Sequence, residues 1–393
     1  MFISYKTEIK PTVEQSNKIL QSIGICRWLY NEYIAYNNRR YKMYQRGMLD
    51  EHQKRFISGY DFNKYVNNVL KKKEGLEWIS LCGSKARTRA IINAETAFKK
   101  FFSGKSKFTR FKKKTKQDVK IYFPKDHATD WTIERHRVKI PTLGFVRIKE
   151  FGYLPVDGKV VSGIVSHKAG RFYVSVLVDI PESRYAKPQN EPFGIDLGLK
   201  DLVILSDGIK YKNINKTATI KRLEKKLKRE QRHLSRKLEN KKKGGEKSTI
   251  YFANISKNIL KVQKLYHRLT SIRTNYINQV INDIVKREPS YIVIEDLNVS
   301  GMMKNRHLAK AIAGCKFYEF RTNLIAKCHE RGIEIRIANR FYPSSKICHA
   351  CGHVKHDLKL SERTYVCSEC GNVIDRDYQA ALNLRDVKEY EVA

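Results

Sequence analysis

With 393 residues, of which 41% are apolar, the chain is long enough for two or three domains with buried cores, which excludes a disordered tail. Its 78 Lys and Arg residues against 40 Asp and Glu residues give a formal net charge of +38, which indicates a nucleic-acid partner because such cations release counterions from phosphates. A ribosome-like basic protein or an anionic membrane surface would fit the same charge, but no apolar run approaches the ~20 residues that span a bilayer.

The first residues and the cysteines indicate the compartment. Residues Met1–Lys10 alternate like a strand and already carry three charges, which is unlike a signal peptide. Of eight cysteines, four form two tight pairs near the C-terminus and four are scattered. This pattern favours one metal site and ordinary buried thiols over a disulfide framework, so we expect a reducing prokaryotic cytoplasm or nucleoid.

In the N-terminal half, one strand is followed by helices and then by more strands. Alternating apolar residues predict a strand over residues 2–9, and helical spacing predicts helices from about residue 12 to Arg46 and from Ser84 to Phe102. Strand patterns dominate residues 119–180 and predict a small antiparallel barrel or sandwich. The first strand is expected to pair into that sheet, which leaves the helices as an insertion.

Aromatic residues alternate with cations at two places in this half. The first helix carries tyrosines among Arg and Lys residues, which fits base stacking and a packing face equally well: Tyr30, Tyr33, Tyr36, Tyr41 and Tyr44. Residues 99–120 hold ten Lys or Arg residues against one acid, Asp118. Phe108 and Phe111 interrupt that charge, so we expect a loop that follows a nucleic-acid backbone, with a solvated linker as the alternative.

The segment 194–208 combines an apolar strand with one carboxylate, Asp196. Its neighbours Ile195 and Leu197 indicate a buried strand, and glycine-bearing turns fold the chain back after it. An unpaired buried carboxylate is costly unless a positive group compensates it. A metal ion is the obvious candidate, although Asp196 alone would also serve as a turn-forming residue.

A long charged region follows the Asp196 segment. Two apolar seams separated by the turn 241–247 predict an antiparallel helical hairpin over residues 216–287. Between Lys216 and Lys243 there are 13 basic residues against three acidic ones. This surface is expected to contact a nucleic-acid backbone rather than to be merely solvated.

Two more carboxylates are candidates to join Asp196. Glu295 ends a near-continuous apolar strand, as expected for a strand covered on both faces, while the next residue, Asp296, is the expected bystander. The last helix begins near two acids, of which we choose Asp377 as the metal ligand and Asp375 as the capping or supporting residue. Strand capping by Glu295 and helix capping by Asp377 are the alternatives.

The order of the predicted strands and helices is that of a ribonuclease H-like domain. Such a domain holds carboxylates on a first strand, a fourth strand and a final helix, which here are Asp196, Glu295 and Asp377. Mg²⁺ prefers oxygen ligands, and two ions about 4 Å apart can clamp the attacking and leaving oxygens of a phosphodiester. The sequence therefore predicts a centre for two magnesium ions.

Two C-x2-C pairs near the C-terminus form the most specific motif. They are Cys348 with Cys351 and Cys367 with Cys370, each pair followed by glycine, with fifteen residues between the pairs. Four thiolates on one tetrahedral Zn²⁺ leave no open position, which indicates a structural site rather than a catalytic one. Disulfide pairing is the alternative. The histidines nearby are expected to lie on the surface or to contact phosphate: His349, His353 and His356.

The motifs around these residues resemble the TnpB family, transposon-encoded RNA-guided DNA nucleases related to the type V CRISPR effectors. They are Gly-Ile-Asp-Leu-Gly at 194–198, Ile-Glu-Asp-Leu-Asn at 294–298, Pro-Ser-Ser-Lys-Ile-Cys at 343–348, the cysteine pairs, and Asp-Arg-Asp-Tyr-Gln-Ala-Ala at 375–381. By motif position the resemblance implies metal binding by Asp196, Glu295 and Asp377. One departure is Gln379, where the family usually has Asn, and Tyr378 replaces a more common polar residue.

The resemblance also implies the domain plan and the partners. It implies a RuvC-like nuclease domain with an inserted zinc ribbon, a β-barrel wedge domain and a helical recognition domain. The expected ranges are 1–10 and 116–190 for the wedge domain, 11–115 for the recognition domain, 191–344 and 373–393 for the nuclease domain, and 345–372 for the ribbon. The implied partners are a guide RNA from the transposon end and double-stranded target DNA beside a short motif, with no protein oligomer required.

Three functions are therefore compared. The first is an RNA-guided, Mg²⁺-dependent DNA endonuclease, in which base pairing reads the target and the protein reads backbone and a short motif. The second is a guide-RNA-bound DNA-binding repressor with weak or no nuclease activity. The third is a transposase-like strand-transfer enzyme or a structure-specific nuclease that uses the same acids without RNA. The presence of all three acids favours the first.

Overall fold

The computed structural model divides the chain into two compact units, Met1–Pro181 and Glu182–Ala393. It describes all residues except 1, 50–55, 115–118, 126, 128–129, 157, 181–187, 243–248 and 360. We describe each unit by itself. The predicted turn at 241–247 and part of the basic loop at 99–120 lie outside the described residues.

The first unit is built on a seven-stranded antiparallel sheet in the order β2-β6-β7-β1-β5-β4-β3. The first strand pairs with β7 and β5, as predicted, even though a long helical segment separates it from them in the sequence. In the described residues the sheet has open edges at β2 and β3, so the predicted barrel is an open sheet here. The strands are β1 (Phe2–Lys10), β2 (Val119–Pro124), β3 (Thr132–Ile133), β4 (Arg137–Ile140), β5 (Gly144–Ile148), β6 (Lys159–Lys168) and β7 (Arg171–Asp179).

Three helices lie between β1 and β2: α1 (Val13–Gln45), α2 (Gly59–Asn68) and α3 (Ser84–Phe102). The first helix begins at a capping box, in which the Thr12 side chain accepts from the Gln15 backbone N–H and the Gln15 side chain accepts from that of Thr12. The sequence predicted α1 and α3 but missed α2.

The tyrosines of α1 divide between the two predicted roles. Tyr30 and Tyr33 are buried in the core of the unit, whereas Tyr44 is half-exposed near the end of the helix. In α3, Ile91 and Phe98 face the core as expected, but Phe102 is exposed. The packing interpretation therefore holds for the middle of α1 and for most of the α3 stripe.

The second unit is built on a six-stranded mixed sheet in the order β10-β9-β8-β11-β12-β15. Its three central strands, β8, β11 and β12, run parallel to one another, and most of their apolar residues are buried. The strands in chain order are β8 (Phe193–Leu197), β9 (Asp201–Leu205), β10 (Lys210–Lys212), β11 (Tyr291–Glu295), β12 (Glu334–Ala338), β13 (Thr364–Val366), β14 (Val373–Asp375) and β15 (Tyr390–Val392). The strands β13 and β14 form a separate antiparallel hairpin.

The helices of the second unit are α4 (Ala218–Lys242), α5 (Thr249–Val285), α6 (Val299–Met302), α7 (Ala309–Cys315), α8 (Phe317–Arg331) and α9 (Arg376–Arg385). The predicted hairpin corresponds to α4 and α5, which share an apolar seam of Leu and Ile side chains. Among the described residues, no helix combines the length and the apolar character needed to cross a membrane.

The helical segment of residues 309–331 is interrupted at one residue. Lys316 separates α7 from α8 in a left-handed backbone conformation with φ of 55°. Its Nζ donates to Thr274 Oγ1 at 2.5 Å and also contacts Glu319. The break is thus supported by contacts of the Lys316 side chain with α5 and α8, which the local sequence does not reveal.

Candidate active site

Two of the three candidate carboxylates lie at the same edge of the mixed sheet. The parallel strands β8 and β11 are in register at Ile195 and Ile294, and Asp196 and Glu295 are the next residues in each strand. Because both strands run in the same direction, their last residues emerge at one edge. The two strands are neighbours in the mixed sheet.

Helix α9 brings the third carboxylate to β8. An ideal Cβ added to Gly194 would lie 1.9 Å from the Ala381 carbonyl oxygen and 2.4 Å from the Arg385 nitrogen. Only glycine therefore allows the helix backbone to approach the strand so closely. Asp377 is in the first turn of this helix, and Asp375 is its N-cap, accepting from the backbone N–H groups of Asp377 and Tyr378 at 3.0 Å each.

The electrostatics connect the three acids. Burial raises the pKa of Asp196 well above its ordinary value, and the negative charges of Glu295 and Asp377 raise it further, with Arg376 opposing them. Burial also raises the pKa of Glu295, against the hydrogen bond from Ser344. Like charges held this close are stable as carboxylates only with a compensating cation.

The donor set fits magnesium better than a soft metal, since every candidate ligand atom is a carboxylate oxygen. Carboxylates can hold two such ions about 4 Å apart. Among the described residues, the compact group of candidate metal ligands is that of the four cysteines, and the three acids do not form a second one.

The two neighbouring acids are compensated by other residues. Asp296 forms ion pairs with Arg321 and Arg340, and the hydrogen bond from Arg321 is the main cause that lowers its pKa. Asp375 accepts from Lys210 Nζ at 2.9 Å while it caps α9. Asp375 is the helix cap that the sequence predicted, and the carboxyls of both acids are paired with cations.

A buried hydrogen-bond chain that sequence reasoning missed reaches Glu295. Ser344 Oγ donates to Glu295 Oε1 at 2.6 Å, and Asn383 Nδ2 donates to the carbonyl oxygens of Ser344 and Ile347 at 2.7 Å each. Asn383 Oδ1 lies 3.2 Å from His349 Nδ1. His349 is exposed, as expected, and it also contacts α9, so that it links the cysteine site to the turn that orients Glu295.

Gln379, the departure from the family pattern, is fully buried. Its Oε1 accepts from the His349 backbone N–H at 3.4 Å, while its Nε2 has no hydrogen-bond partner in the part of the chain that the structure describes. Near the same helix end, Arg363 Nη1 lies 3.5 Å from Asp377 Oδ2. This arginine, which the sequence did not single out, adds a half-exposed positive charge beside the acids.

The four paired cysteines meet as predicted. Their Sγ atoms lie within 4.8 Å of one another, with Cys348 and Cys370 3.6 Å apart and Cys351 and Cys367 also 3.6 Å apart. These distances exceed the S–S bond of about 2.05 Å, so the pairs are not disulfides. The arrangement is consistent with one structural zinc ion held by four thiolates.

The local backbone shapes the two cysteine turns and favours the thiolate at one of them, Cys367, whereas neighbouring thiols raise the pKa of Cys351 and Cys370 in the absence of metal. Gly352 and Gly371, which follow the two cysteine pairs, have φ of 78° and 68°, so each turn needs a residue without a Cβ. Backbone N–H groups, first that of Cys370, lower the pKa of Cys367 to about 6. The scattered cysteines, by contrast, are all buried thiols: Cys26, Cys82, Cys315 and Cys328.

Three family models match parts of the chain. A model described as "Probable transposase" matches residues 175–306, and one described as "Cas12f1-like, TNB domain" matches residues 317–384. A third, described as "Helix-turn-helix domain", matches residues 1–46, where the structure has one strand and one long helix. The second model covers Ser344, the four paired cysteines and α9 up to Leu384.

Curated relatives match nearly the whole chain. A Streptomyces pristinaespiralis protein named "Putative RNA-guided DNA endonuclease" is 31% identical over 382 residues, which are 97% of this chain and 88% of the relative. The Escherichia coli (strain K12) protein "Putative RNA-guided DNA endonuclease InsQ" is 27% identical over 398 residues, covering 97% and 91% of the two chains.

A solved structure shares the fold. The protein chain in "Cryo-EM structure of the Cas12f1-sgRNA-target DNA complex" aligns over 100% of this chain and 99% of its own length, with a TM-score of 0.54 and 13% identity. At that identity the similarity concerns the mixed α/β, multidomain fold alone.

Proposed function

Because the chain belongs to the TnpB family of transposon-associated proteins, we propose that it is an RNA-guided DNA endonuclease that hydrolyses phosphodiesters with Asp196, Glu295 and Asp377. The observation that carries the proposal is the meeting of two parallel strand ends and one helix start, which brings three acids into electrostatic contact. Relatives named as RNA-guided DNA endonucleases match over most of their length and support it.

We assign the domains as the sequence suggested. The sheet formed by residues 1–10 and 116–190 would be the wedge domain, and the helices of residues 11–115 the recognition domain. The mixed sheet and its helices, residues 191–344 and 373–393, would be a RuvC-like nuclease domain. The cysteine site in residues 345–372 would be a zinc ribbon that contacts target nucleic acid. The pairing of β1 into the later sheet supports the first two assignments.

In the proposed mechanism the protein holds two magnesium ions and orients the scissile phosphate. Asp196 and Glu295 bind from the rigid sheet, and Ser344 fixes one Glu295 oxygen so that the other is free for a ligand. Asp377 binds from the α9 start, with Arg363 as a positive charge beside it. When bound, magnesium supplies stabilisation of the charge that develops on the phosphodiester oxygens and activation of the attacking water.

The charge of the chain supports the proposed nucleic-acid partners. The net charge of +38 is far larger than the charge needed to balance three carboxylates in one active site. The basic α4, in which acids are few, extends this charge beyond the mixed sheet. We propose that a guide RNA derived from the transposon end occupies this surface, and that double-stranded target DNA is read beside a short motif.

The repressor alternative predicts the same partners without cleavage. A missing acid would favour it, and the chain has all three. The orphaned amide of Gln379 lies on the helix that carries Asp377, so this corner of the site is where a loss of activity would arise. The two functions differ in one readout, the cutting of bound DNA.

To test the proposal, the chain is expressed together with the transposon sequence that flanks its gene, and the RNA that copurifies is sequenced. That RNA is then used to direct the protein to a plasmid target. We expect one dominant RNA and double-strand cleavage that requires Mg²⁺ and stops with chelator. Guided DNA binding without cleavage would favour the repressor, and purified protein without RNA would contradict RNA guidance. Glu330→Gln, which alters a surface ion pair with Lys327, is the matched control and should cleave normally.

A further inference from the structure

A fixed loop after β12 exposes a phenylalanine beside the active site. The Phe341 side chain is 87% exposed, although a phenyl ring gains free energy by leaving water. Its backbone N–H donates to Asn339 Oδ1 at 2.9 Å, and the Tyr342 hydroxyl donates to the Asn383 carbonyl oxygen at 3.1 Å. The ring is therefore presented to solvent by a loop that hydrogen bonds hold in place.

The cavity at this loop connects the exposed ring with the candidate metal ligands. It has a volume of about 360 Å³, and both Glu295 and Phe341 line it together with Arg340 and Lys346. This volume is in the range of small-ligand sites. Glu295 marks where a scissile phosphate would lie, so the cavity is adjacent to that position.

The charges around the cavity suit a polyanion. The Arg340 guanidinium pairs with Asp296 and is still half-exposed, so it can contact a second anion. Asp296 is also paired with Arg321, which reduces the repulsion that a lone acid would exert on a phosphate. A cation next to an accessible aromatic ring is the combination with which proteins hold unpaired nucleotides.

We propose that Phe341 and Arg340 form a subsite for one unpaired nucleotide of the substrate strand, adjacent to the phosphate at Glu295. The base stacks on the Phe341 ring and the backbone phosphate contacts the Arg340 guanidinium. This proposal rests on the proposed function in one respect, because it assumes that hydrolysis takes place at the sheet edge where Glu295 lies. Isolated exposed apolar residues are common on proteins, but the shared cavity with Glu295 distinguishes this one.

The test uses the full-length chain with Asp196→Ala, so that no probe is cut, and a short single-stranded DNA that contains the fluorescent base 2-aminopurine. Binding should quench the fluorescence by stacking. Adding Phe341→Ala should weaken binding about 5- to 140-fold and restore the fluorescence, from ~1–3 kcal/mol per stacked base. Phe341→Trp should retain both signals. Tyr318→Ala is the matched control, because this ring is 73% exposed and does not line the cavity.

A salt titration tests the second contact. Arg340→Gln should reduce the slope of log affinity against log salt by about 0.7, as expected for one lost phosphate contact on a single strand. An unchanged slope would remove Arg340 from the subsite. Equal binding and equal quenching by the Phe341→Ala protein, or an equal loss in the Tyr318→Ala control, would overturn the stacking proposal.

These outcomes are separable from those of the proposed function. Quenching that depends on Phe341, in a chain whose wild type never cuts target DNA, supports the subsite and contradicts the nuclease. A wild type that cuts guided DNA, with a Phe341→Ala variant that binds and quenches like its parent, supports the nuclease and overturns the subsite.

Discussion

Gly194→Ala is expected to separate the two elements that carry Asp196 and Asp377. The added methyl would lie 1.9 Å from the Ala381 carbonyl oxygen, where ordinary contact begins near 3.4 Å, so α9 must move by about 1.5 Å. The neighbouring atoms belong to the helix backbone, and no side-chain rotation can relieve the overlap.

The magnitude follows from the size of that movement. Overpacking costs typically about 1–3 kcal/mol, and backbone contacts leave little room for relaxation, so we take about 2 kcal/mol. This loss leaves a domain of ordinary stability folded. A displacement of about 1 Å at a catalytic group can cost roughly 10²-fold in rate, so we expect cleavage to fall by at least that factor.

The assay combines amide hydrogen exchange of the α9 peptide with the rate of guided DNA cleavage. Exchange should be about 30-fold faster in the Gly194→Ala protein, the equivalent of 2 kcal/mol. Gly24→Ala is the matched control: Gly24 lies within α1, and an added Cβ would meet no atom nearer than Arg27 Nη2 at 4.0 Å. That control should gain about 0.5–1 kcal/mol in its own helix. Wild-type exchange and cleavage in the Gly194→Ala protein would refute the packing of α9 on β8.

Three further predictions concern individual side chains. In metal-free protein, burial and the charge of Glu295 raise the pKa of Asp196, so the folded state binds the proton more tightly than the unfolded state does. The free energy of unfolding should therefore fall as pH rises above the ordinary Asp value of 3.8 toward the raised pKa. Asp196→Asn should remove that slope in denaturant titrations at several pH values, and an unchanged slope would contradict the shift. Asp375→Ala should lower the stability of α9 by about 1 kcal/mol through loss of the N-cap, as measured by amide exchange of α9. Asp375→Asn should keep both the cap and cleavage, whereas Asp377→Asn should lose cleavage alone. The reverse pattern would exchange the roles of the two acids. Because the zinc ligands must be deprotonated, bound zinc should be released as pH falls, and Cys367→Ser should lower zinc content in metal analysis, whereas full zinc occupancy in that variant would refute the site.

The parts of the site that the sequence predicted are those fixed by local patterns. Apolar runs around Asp196 and Glu295 indicated buried strands, and both belong to the parallel centre of the mixed sheet. The acids at the start of α9 could be divided into cap and candidate ligand because Asp is common at N-caps, and Asp375 is the cap. Cysteine spacing alone predicted the thiolate cluster.

The parts that the sequence could not predict depend on contacts between distant residues. Ser344 is 49 positions from Glu295 along the chain, and a serine in a loop gives no sign of the carboxylate it binds. The break falls at Lys316 itself, two residues after Gly314, and contacts of the Lys316 side chain with α5 and α8 support it. The antiparallel pairing of β15 with β12 was likewise absent from the prediction, because three exposed residues carry no strand pattern.

The central claim is that the carboxylate at the end of β8 is required for cutting but not for finding the target. Asp196→Ala protein, loaded with its guide RNA, should bind matched DNA with wild-type affinity and show no cleavage in Mg²⁺, while Glu330→Gln protein both binds and cleaves. Cleavage by the Asp196→Ala protein at the wild-type rate would contradict the account.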